Sequence, residues 1–264
     1  MSQPLIVTLG DVLALVLVTP DGGLPDEPAT TATTRLTVGG QAAICACWAA
    51  ETGARARAVS ARSYDRAGDL VEAELAERGV DLEGPGVEGD TGVATVVRTA
   101  GARRTALTDR GVCPLLAPEG LAEAWFSDAD ILHVSGYALL EQPSAGAAEL
   151  ACAMARDAGA RVCVDVACAD IVSPLLRERI AHLEADIALA TPEQAQAVGG
   201  FDDLAALPVI TEPRAGGDGD TMGVNDAYAA GFLAALAAGA DAGDARELAR
   251  AMADRCAKRE GPLP

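Results

Sequence analysis

The chain has 264 residues, half of them hydrophobic but only 3% aromatic, so its core has to be built from Ala, Val and Leu. That length suits one large α/β unit with a small appendage, and the apolar content is far from that of a disordered chain. A net charge of -19 sets the surface against nucleic acid, whose phosphates would repel it, and reads most simply as a solvated acidic exterior.

Residues 4–18, "PLIVTLGDVLALVLV", form an apolar run with β-branched residues, which predicts a strand buried on both faces. "GGQAAICACWAAETG" predicts a helix that starts after Gly39 and Gly40 and stops at Gly53. "ARARAVS" is a short strand, and "DRAGDLVEAELAERG" a helix with Asp65 as N-cap and Gly79 just past its end. Residues 91–109, "TGVATVVRTAGARRTALTD", alternate polar and apolar on either side of a Gly-containing turn, the pattern of a hairpin. Strands "ADILHVSG", "ARVCVDV" and "ADIALA" then alternate with helices "QPSAGAAELACAMARDAG", "SPLLRERIAHL" and "TPEQAQAVG". Such alternation implies a mostly parallel sheet covered by helices on both faces. The hairpin and the segment around 12–37 interrupt the rhythm and are expected to form a small separate sheet.

The seven cysteines, at 45, 47, 113, 152, 163, 168 and 256, make no CxxC pair and sit mostly in apolar segments. They read as reduced core thiols of a cytoplasmic protein. Cys45 and Cys47 have neither His133 nor His182 near them in sequence, so no metal site is assigned. "MSQPLIVTLGD" lacks a basic leader region, and "AYAAGFLAALAAGA" is shorter than the roughly 18 residues of a membrane span. No membrane partner is expected.

Neither a G-x-G-x-x-G after the first strand nor a Walker-type loop is present. The remaining phosphate candidate is "GDGDTMGVNDAYAAGFLAALAAG", residues 217–239. Gly223 ahead of a helix lets backbone N–H groups approach an anion, and the helix N-terminus adds partial positive charge. Asp226, in the first turn, can accept a proton from a substrate hydroxyl while those N–H groups hold a phosphoryl group. On spacing alone, Asp220 and Asp226 are equally well read as ordinary helix-start residues, and that is the simpler reading.

"DTMGVNDAYAAGFL" resembles the Asp-Thr-x-Gly-Ala-Gly-Asp signature of the ribokinase-like (phosphofructokinase-B type) sugar and nucleoside kinases. "TVGGQAAICACWAAETGA", "DRAGDLVEAELAERGVDL", "TDRGVCPLLAPEGL" and "ADIALATPEQAQAV" resemble further family segments in the family's order, over almost the whole chain. The resemblance implies a single ribokinase-like α/β domain over 1–264, with a β lid from segments at about 12–37 and 92–108. It also implies ATP- and Mg²⁺-dependent phosphoryl transfer to a hydroxyl of a small sugar- or nucleoside-like molecule. Asp226 then corresponds to the catalytic base, and Gly223, Val224 and Asn225 to the anion hole. Thr191, Gln194, Thr211, Gly216, Asp220 and Thr221 fall at nucleotide-side positions; Leu13, Leu15, Gly39, Gly40 and Ile44 fall at acceptor-side positions. A homodimer is one option for its assembly.

Several of these positions depart from the family pattern. Asn225 stands for a Gly, which matters if that residue is left-handed. Leu13, Leu15 and Ile44 stand for hydroxyl-binding polar residues, so ordinary ribose is expected to bind poorly. Thr191 and Gln194 replace Asn-x-x-Glu, removing a carboxylate that helps organise Mg²⁺, although Thr-x-x-Gln is also a good capping box. "TEPRAG" has Pro213 where the family has Gly, and the interval from Thr211 to Asp220 is too short for the strand pair expected there. A protein that keeps this fold for binding or regulation, without catalysis, is the alternative.

Overall fold

The computed structural model describes residues 3–21, 30–98, 104–211 and 222–264. Its strands are β1 (Leu5–Leu9), β2 (Leu13–Pro20), β3 (Ala32–Gly39), β4 (Arg55–Val59), β5 (Val80–Glu83), β6 (Thr91–Arg98), β7 (Arg104–Gly111), β8 (Ile131–Ser135), β9 (Arg161–Asp165), β10 (Ala185–Ala190) and β11 (Ala205–Ile210). The helices are α1 (Gln41–Glu51), α2 (Arg66–Glu77), α3 (Ser144–Asp157), α4 (Pro174–His182), α5 (Pro192–Val198), α6 (Val224–Ala237) and α7 (Ala242–Ala257). Seven strands form a central sheet in the order β11-β10-β9-β8-β1-β4-β5, and every pairing in it is parallel. A second sheet has the order β3-β2-β6-β7.

Period-two alternation builds the two apolar layers. Along β1, Ile6 points into the layer made with α1, α6 and α7. Leu5, Val7 and Leu9 point to the opposite layer, made with α3 and α4. With so few aromatic rings available, small residues let the elements come close. Gly231 of α6 is the clearest case: a Cβ there would stand 2.9 Å from Ala249 Cα of α7. α6 is buried nearly all round, which is why its sequence shows no polar stripe.

The apolar run 4–18 does not form one strand. It breaks after Leu9 and continues as β2 in the second sheet. Gly10 takes φ 153°, and a Cβ there would come within 2.6 Å of Ser135 Cβ, so the chain leaves the central sheet at a position where only glycine fits. The following Asp11 accepts two hydrogen bonds from Arg110, at 2.8 Å each, tying this turn to the end of β7. The strands expected on either side of the turn near residue 100 pair antiparallel as β6 and β7. Asp65 caps α2 as expected, accepting from Gly68 N at 2.7 Å. Two short strands, β5 and β11, and the amphipathic α7 were not anticipated from the sequence.

His133 lies in the middle of β8, buried, with neither ring nitrogen hydrogen-bonded. Burial pushes its pKa down to about 4, from an ordinary 6.5. The unfolded chain therefore takes up a proton between those values and the folded one does not, so stability falls as pH drops from about 6.5 to about 4. The full loss amounts to about 3 kcal/mol. Urea denaturation of wild type and His133→Leu between pH 4 and 7 checks this: the pH dependence should be weaker in the variant by that amount.

Candidate active site

Strand order reverses at β1. The chain builds outward through β4 and β5, then returns to the other side and proceeds from β8 to β11. Ligands of open parallel sheets sit beyond the carboxyl ends of the strands at such a reversal. A cavity of about 310 Å³ lies there. Its wall takes Asp165 from the end of β9, with Ala167 and Cys168 just beyond, and Tyr137 from the turn after β8. Gly40, Gln41 and Ile44 come from the start of α1, and Gln194 from α5. Met222, Gly223, Asn225 and Asp226 come from the entry to α6, and Arg104 from the first position of β7 in the second sheet.

Two helix N-termini thus converge on one cavity, each giving unsatisfied N–H groups and partial positive charge. Gly223, the N-cap of α6, is left-handed at φ 77°. The first bond of that helix runs from Ala227 N to Gly223 O at 2.8 Å, so the first-turn amides before it have no acceptor within the helix. The loop is held from behind. A Cβ on Gly223 would stand 2.7 Å from Pro262, whose carbonyl accepts from Trp48 Nε1 at 2.7 Å. Asn225 lies inside α6 and is not left-handed, so it fits its backbone without strain, contrary to the concern raised by its replacing a glycine.

Two carboxylates share the cavity. Exclusion from water and then the charge of Asp165 push Asp226 up to about 8, while its own amide and Arg104 pull it down. Burial raises Asp165 to about 6, opposed by hydrogen bonds from Ala167 N, at 2.8 Å, and from Gln41. Gln41 Oε1 in turn accepts from the Ser135 hydroxyl. Burial, followed by Cys168, pushes Tyr137 up to about 12, so its phenol stays protonated. The site therefore offers a carboxyl group with a raised pKa of about 8 beside a helix start whose first amides have no acceptor within the helix.

Of the acceptor-side positions, Gly40 and Ile44 line the cavity. Leu13, Leu15 and Gly39 do not. Leu13 and Leu15 turn into an apolar cluster with Leu17, Ala94, Val96 and Cys113, packed against Met222. Gly39 is buried against Leu15, whose Cβ would lie 2.9 Å from an added Cβ. Of the nucleotide-side positions, Gln194 reaches the cavity, but its amide is engaged at both ends. Its Oε1 accepts from Thr191 N at 2.7 Å, and its Nε2 donates to Ala167 O. Thr191 and Gln194 form the full capping box of α5. Thr211 is buried, with its hydroxyl 3.3 Å from Ala190 O, and Val224 faces the core. Gly216, Asp220, Thr221 and the short interval before Asp220 lie outside the described residues.

Sequence reasoning missed Gln41, Arg104, Tyr137, Asp165 and Cys168. Asp165 left one readable signal, a lone carboxylate within the otherwise apolar "VCVDV". Among the described residues no group of three or more His, Cys, Asp or Glu is placed to hold a metal ion, and no helix is long and apolar enough to cross a membrane.

Comparison with known proteins adds the following. Residues 3–200 match the family model described as pfkB family carbohydrate kinase. No curated protein matches the chain at a significant level. Among solved structures, adenosine kinase from Sinorhizobium meliloti superposes with a TM-score of 0.86 at 19% identity, covering 100% of this chain and 96% of that one. A structure from E. coli in complex with ATP and Mg²⁺ gives 0.79 at 20% identity, with coverage of 99% and 94%. Arabidopsis thaliana ribokinase complexed with ribose and ATP gives 0.76 at 19% identity, with coverage of 100% and 96%. At these identities the structural likeness establishes the fold.

Proposed function

The chain belongs to the pfkB family of carbohydrate kinases, and from that premise we propose that it transfers a phosphoryl group from ATP to a hydroxyl of a sugar- or nucleoside-like small molecule. The observation that carries this reading is the joint placement of Asp226, the left-handed Gly223 and the start of α6 on one cavity wall. Asp226 takes the proton of the attacking hydroxyl. The first-turn amides of α6 and the positive end of that helix face the charge that develops on the phosphoryl oxygens. The second sheet, which brings Arg104 to the cavity, acts as a lid.

ATP is present in both the Arabidopsis and the E. coli complexes, and Mg²⁺ in the latter. Bound here, ATP would supply the phosphoryl group, and Mg²⁺ would neutralise its phosphates. The helix-start amides fit a polyphosphate. Gln194 offers a neutral amide in place of a carboxylate, and its Oε1 already accepts from Thr191 N, so it is a weak metal ligand and the ion would be held mainly by phosphate oxygens and water. The acceptor is less polar than ribose, because Leu13 and Leu15 are withdrawn into the apolar cluster and Ile44 lines the cavity without a polar atom.

A second reading, a binding or regulatory protein on the same fold, is favoured by those same residues: the committed Gln194 and the withdrawn Leu13 and Leu15. Calorimetric titration with Mg·ATP, followed by ADP release over a panel of sugars and nucleosides, separates the two. The kinase reading expects saturable Mg·ATP binding and ADP release, with ribose among the weakest acceptors. Absence of both would leave the binding-protein reading.

A further inference from the structure

Gly223 is backed by Pro262. The three atoms nearest to a Cβ placed on Gly223 are the Cβ, the carbonyl oxygen and the Cα of Pro262, at 2.7, 2.7 and 2.8 Å. Pro262 lies in a strap, residues 260–264, that follows α7 and is fastened along its length. Glu260 O accepts from Arg35 Nη1 of β3 at 3.0 Å, and Pro264 O accepts from Arg78 Nη1, just past α2, at 2.9 Å. Leu263, between them, is buried in the layer that holds α1 and α6. The Pro262 carbonyl accepts from Trp48 Nε1 at 2.7 Å, and Cys256 Sγ reaches Met222 O at 3.4 Å. Trp48 is wholly buried in α1, about two turns after Gln41. The helix that gives Gly40, Gln41 and Ile44 to the cavity wall therefore also grips the strap behind the other helix start. An aliphatic side chain could fill the core at position 48. What the indole adds is a strong donor for a buried carbonyl, beside the weak Cys256 thiol at 3.8 Å.

We propose that Trp48 and Pro262 are positioning residues for the start of α6: the indole holds the strap, and the strap holds Gly223, which aims the first-turn amides into the cavity. The inference rests on reading that helix start as the element that receives the phosphoryl group. Amides stabilise a developing charge best when they are fixed before it arrives, because reorienting them offsets the gain. A left-handed glycine is the least restrained residue a turn can have, so its restraint has to come from outside it. Pro262 supplies that restraint with main-chain and Cβ atoms, which no rotamer change can withdraw. The carbonyl that stands against Gly223 is the one that Trp48 holds. Beyond their direct packing, the two helix starts that face the cavity are thus linked through one hydrogen bond.

The test is amide hydrogen exchange of the ligand-free protein in wild type, Trp48→Phe, Pro262→Gly and Pro262→Ala. Trp48→Phe keeps an aromatic ring and removes the donor. Pro262→Gly removes the Cβ that stands against Gly223 and frees the backbone, whereas Pro262→Ala keeps all three opposing atoms. Amides of residues 224–230 should exchange at least about tenfold faster in Trp48→Phe and Pro262→Gly, and within about twofold of wild type in Pro262→Ala. Amides of α3, on the other face of the central sheet, should not change. Mg·ATP affinity, measured by calorimetry without an acceptor, should weaken about tenfold in the first two variants. Should Trp48→Phe fail to fold, Pro262→Gly carries the same comparison. Wild-type exchange at 224–230 in either folded variant overturns the inference, and so does an increase that α3 shares or that Pro262→Ala matches. Local loosening with unchanged Mg·ATP affinity also overturns it, because the strap would then brace the helix and not the site. If exchange rises locally as stated but wild type binds no Mg·ATP, the positioning role stands and the kinase reading fails.

Discussion

Asp226→Asn is expected to cut ADP release by roughly 10²–10⁴-fold, the usual worth of a general base, with Mg·ATP affinity nearly unchanged. The substitution keeps the size and the position in the first turn of α6 and removes the proton acceptor. It also carries a stability signature with a definite sign. Folding raises Asp226 from an ordinary 3.8 to about 8, so the folded protein holds this proton more tightly than the unfolded chain does. Stability therefore falls as pH rises from about 4 through about 8, the range in which a desolvated carboxylate is forced to ionise. Asparagine never ionises. The variant should thus melt above wild type at pH 8 and beyond, with the gap closing as pH falls toward 4. The same titration sets the rate profile of wild type, which should climb about tenfold per pH unit on its acid side and level off near pH 8. A variant as active as wild type would reduce Asp226 to a helix-start residue, and a melting difference independent of pH would mean that Asp226 is ionised throughout.

How far the sequence foretold this site depends on whether a residue acts through local geometry or through long-range contact. Gly223 and Asp226 stood out as candidates because a glycine followed within one turn by a carboxylate is a local pattern, but that pattern alone reads equally as a helix start, and the resemblance to the kinase signature singled them out. The same holds for Thr191 and Gln194, whose capping box explains them fully. Asp165, Gln41, Tyr137 and Arg104 reach the cavity from four separate elements, and their partners lie far away in the chain. Nothing within a window of sequence around Arg104 says that β7 crosses to the entry of α6. Charge is similarly hidden. Asp226 is pushed up to about 8 first by exclusion from water and then by Asp165, which lies 61 residues earlier in the chain. The fold itself was mostly readable, because alternating strands and helices admit few arrangements. Its one misreading, the unbroken strand over 4–18, arose because an apolar run has no internal marker for a change of sheet. Gly10 was that marker, and its meaning depends on Ser135, which the run does not contain.

Gly40→Ala is expected to damage both stability and ligand binding, more severely than alanine at a positive-φ glycine that has open space around it. Gly40 is the N-cap of α1 at φ 90°, a conformation that costs an alanine about 1–2 kcal/mol by itself. Its surroundings add a second penalty. A Cβ at this position would stand 2.2 Å from Asp11 O and 2.6 Å from Asp11 C, both backbone atoms that no rotamer change can move aside. Relief requires α1 to shift away from the turn between β1 and β2. That turn carries Asp11, which anchors Arg110 and with it β7, and the start of α1 carries Gln41 and Ile44 of the cavity wall. Thr8, whose hydroxyl donates to Ala42 O at 2.9 Å, would lose its partner in the same shift. Gly53→Ala and Gly159→Ala serve as controls, because both have positive φ, at 91° and 86°, with nothing within 4 Å of an added Cβ. Chemical denaturation should place the controls about 1–2 kcal/mol below wild type and Gly40→Ala at least about 2 kcal/mol below the controls. Mg·ATP binding by calorimetry should survive in the controls and weaken at least about tenfold in Gly40→Ala, the equivalent of 1.4 kcal/mol. Equal losses in all three variants would mean that the turn at Asp11 gives way freely, and the close approach of α1 to that turn would then have no part in shaping the cavity.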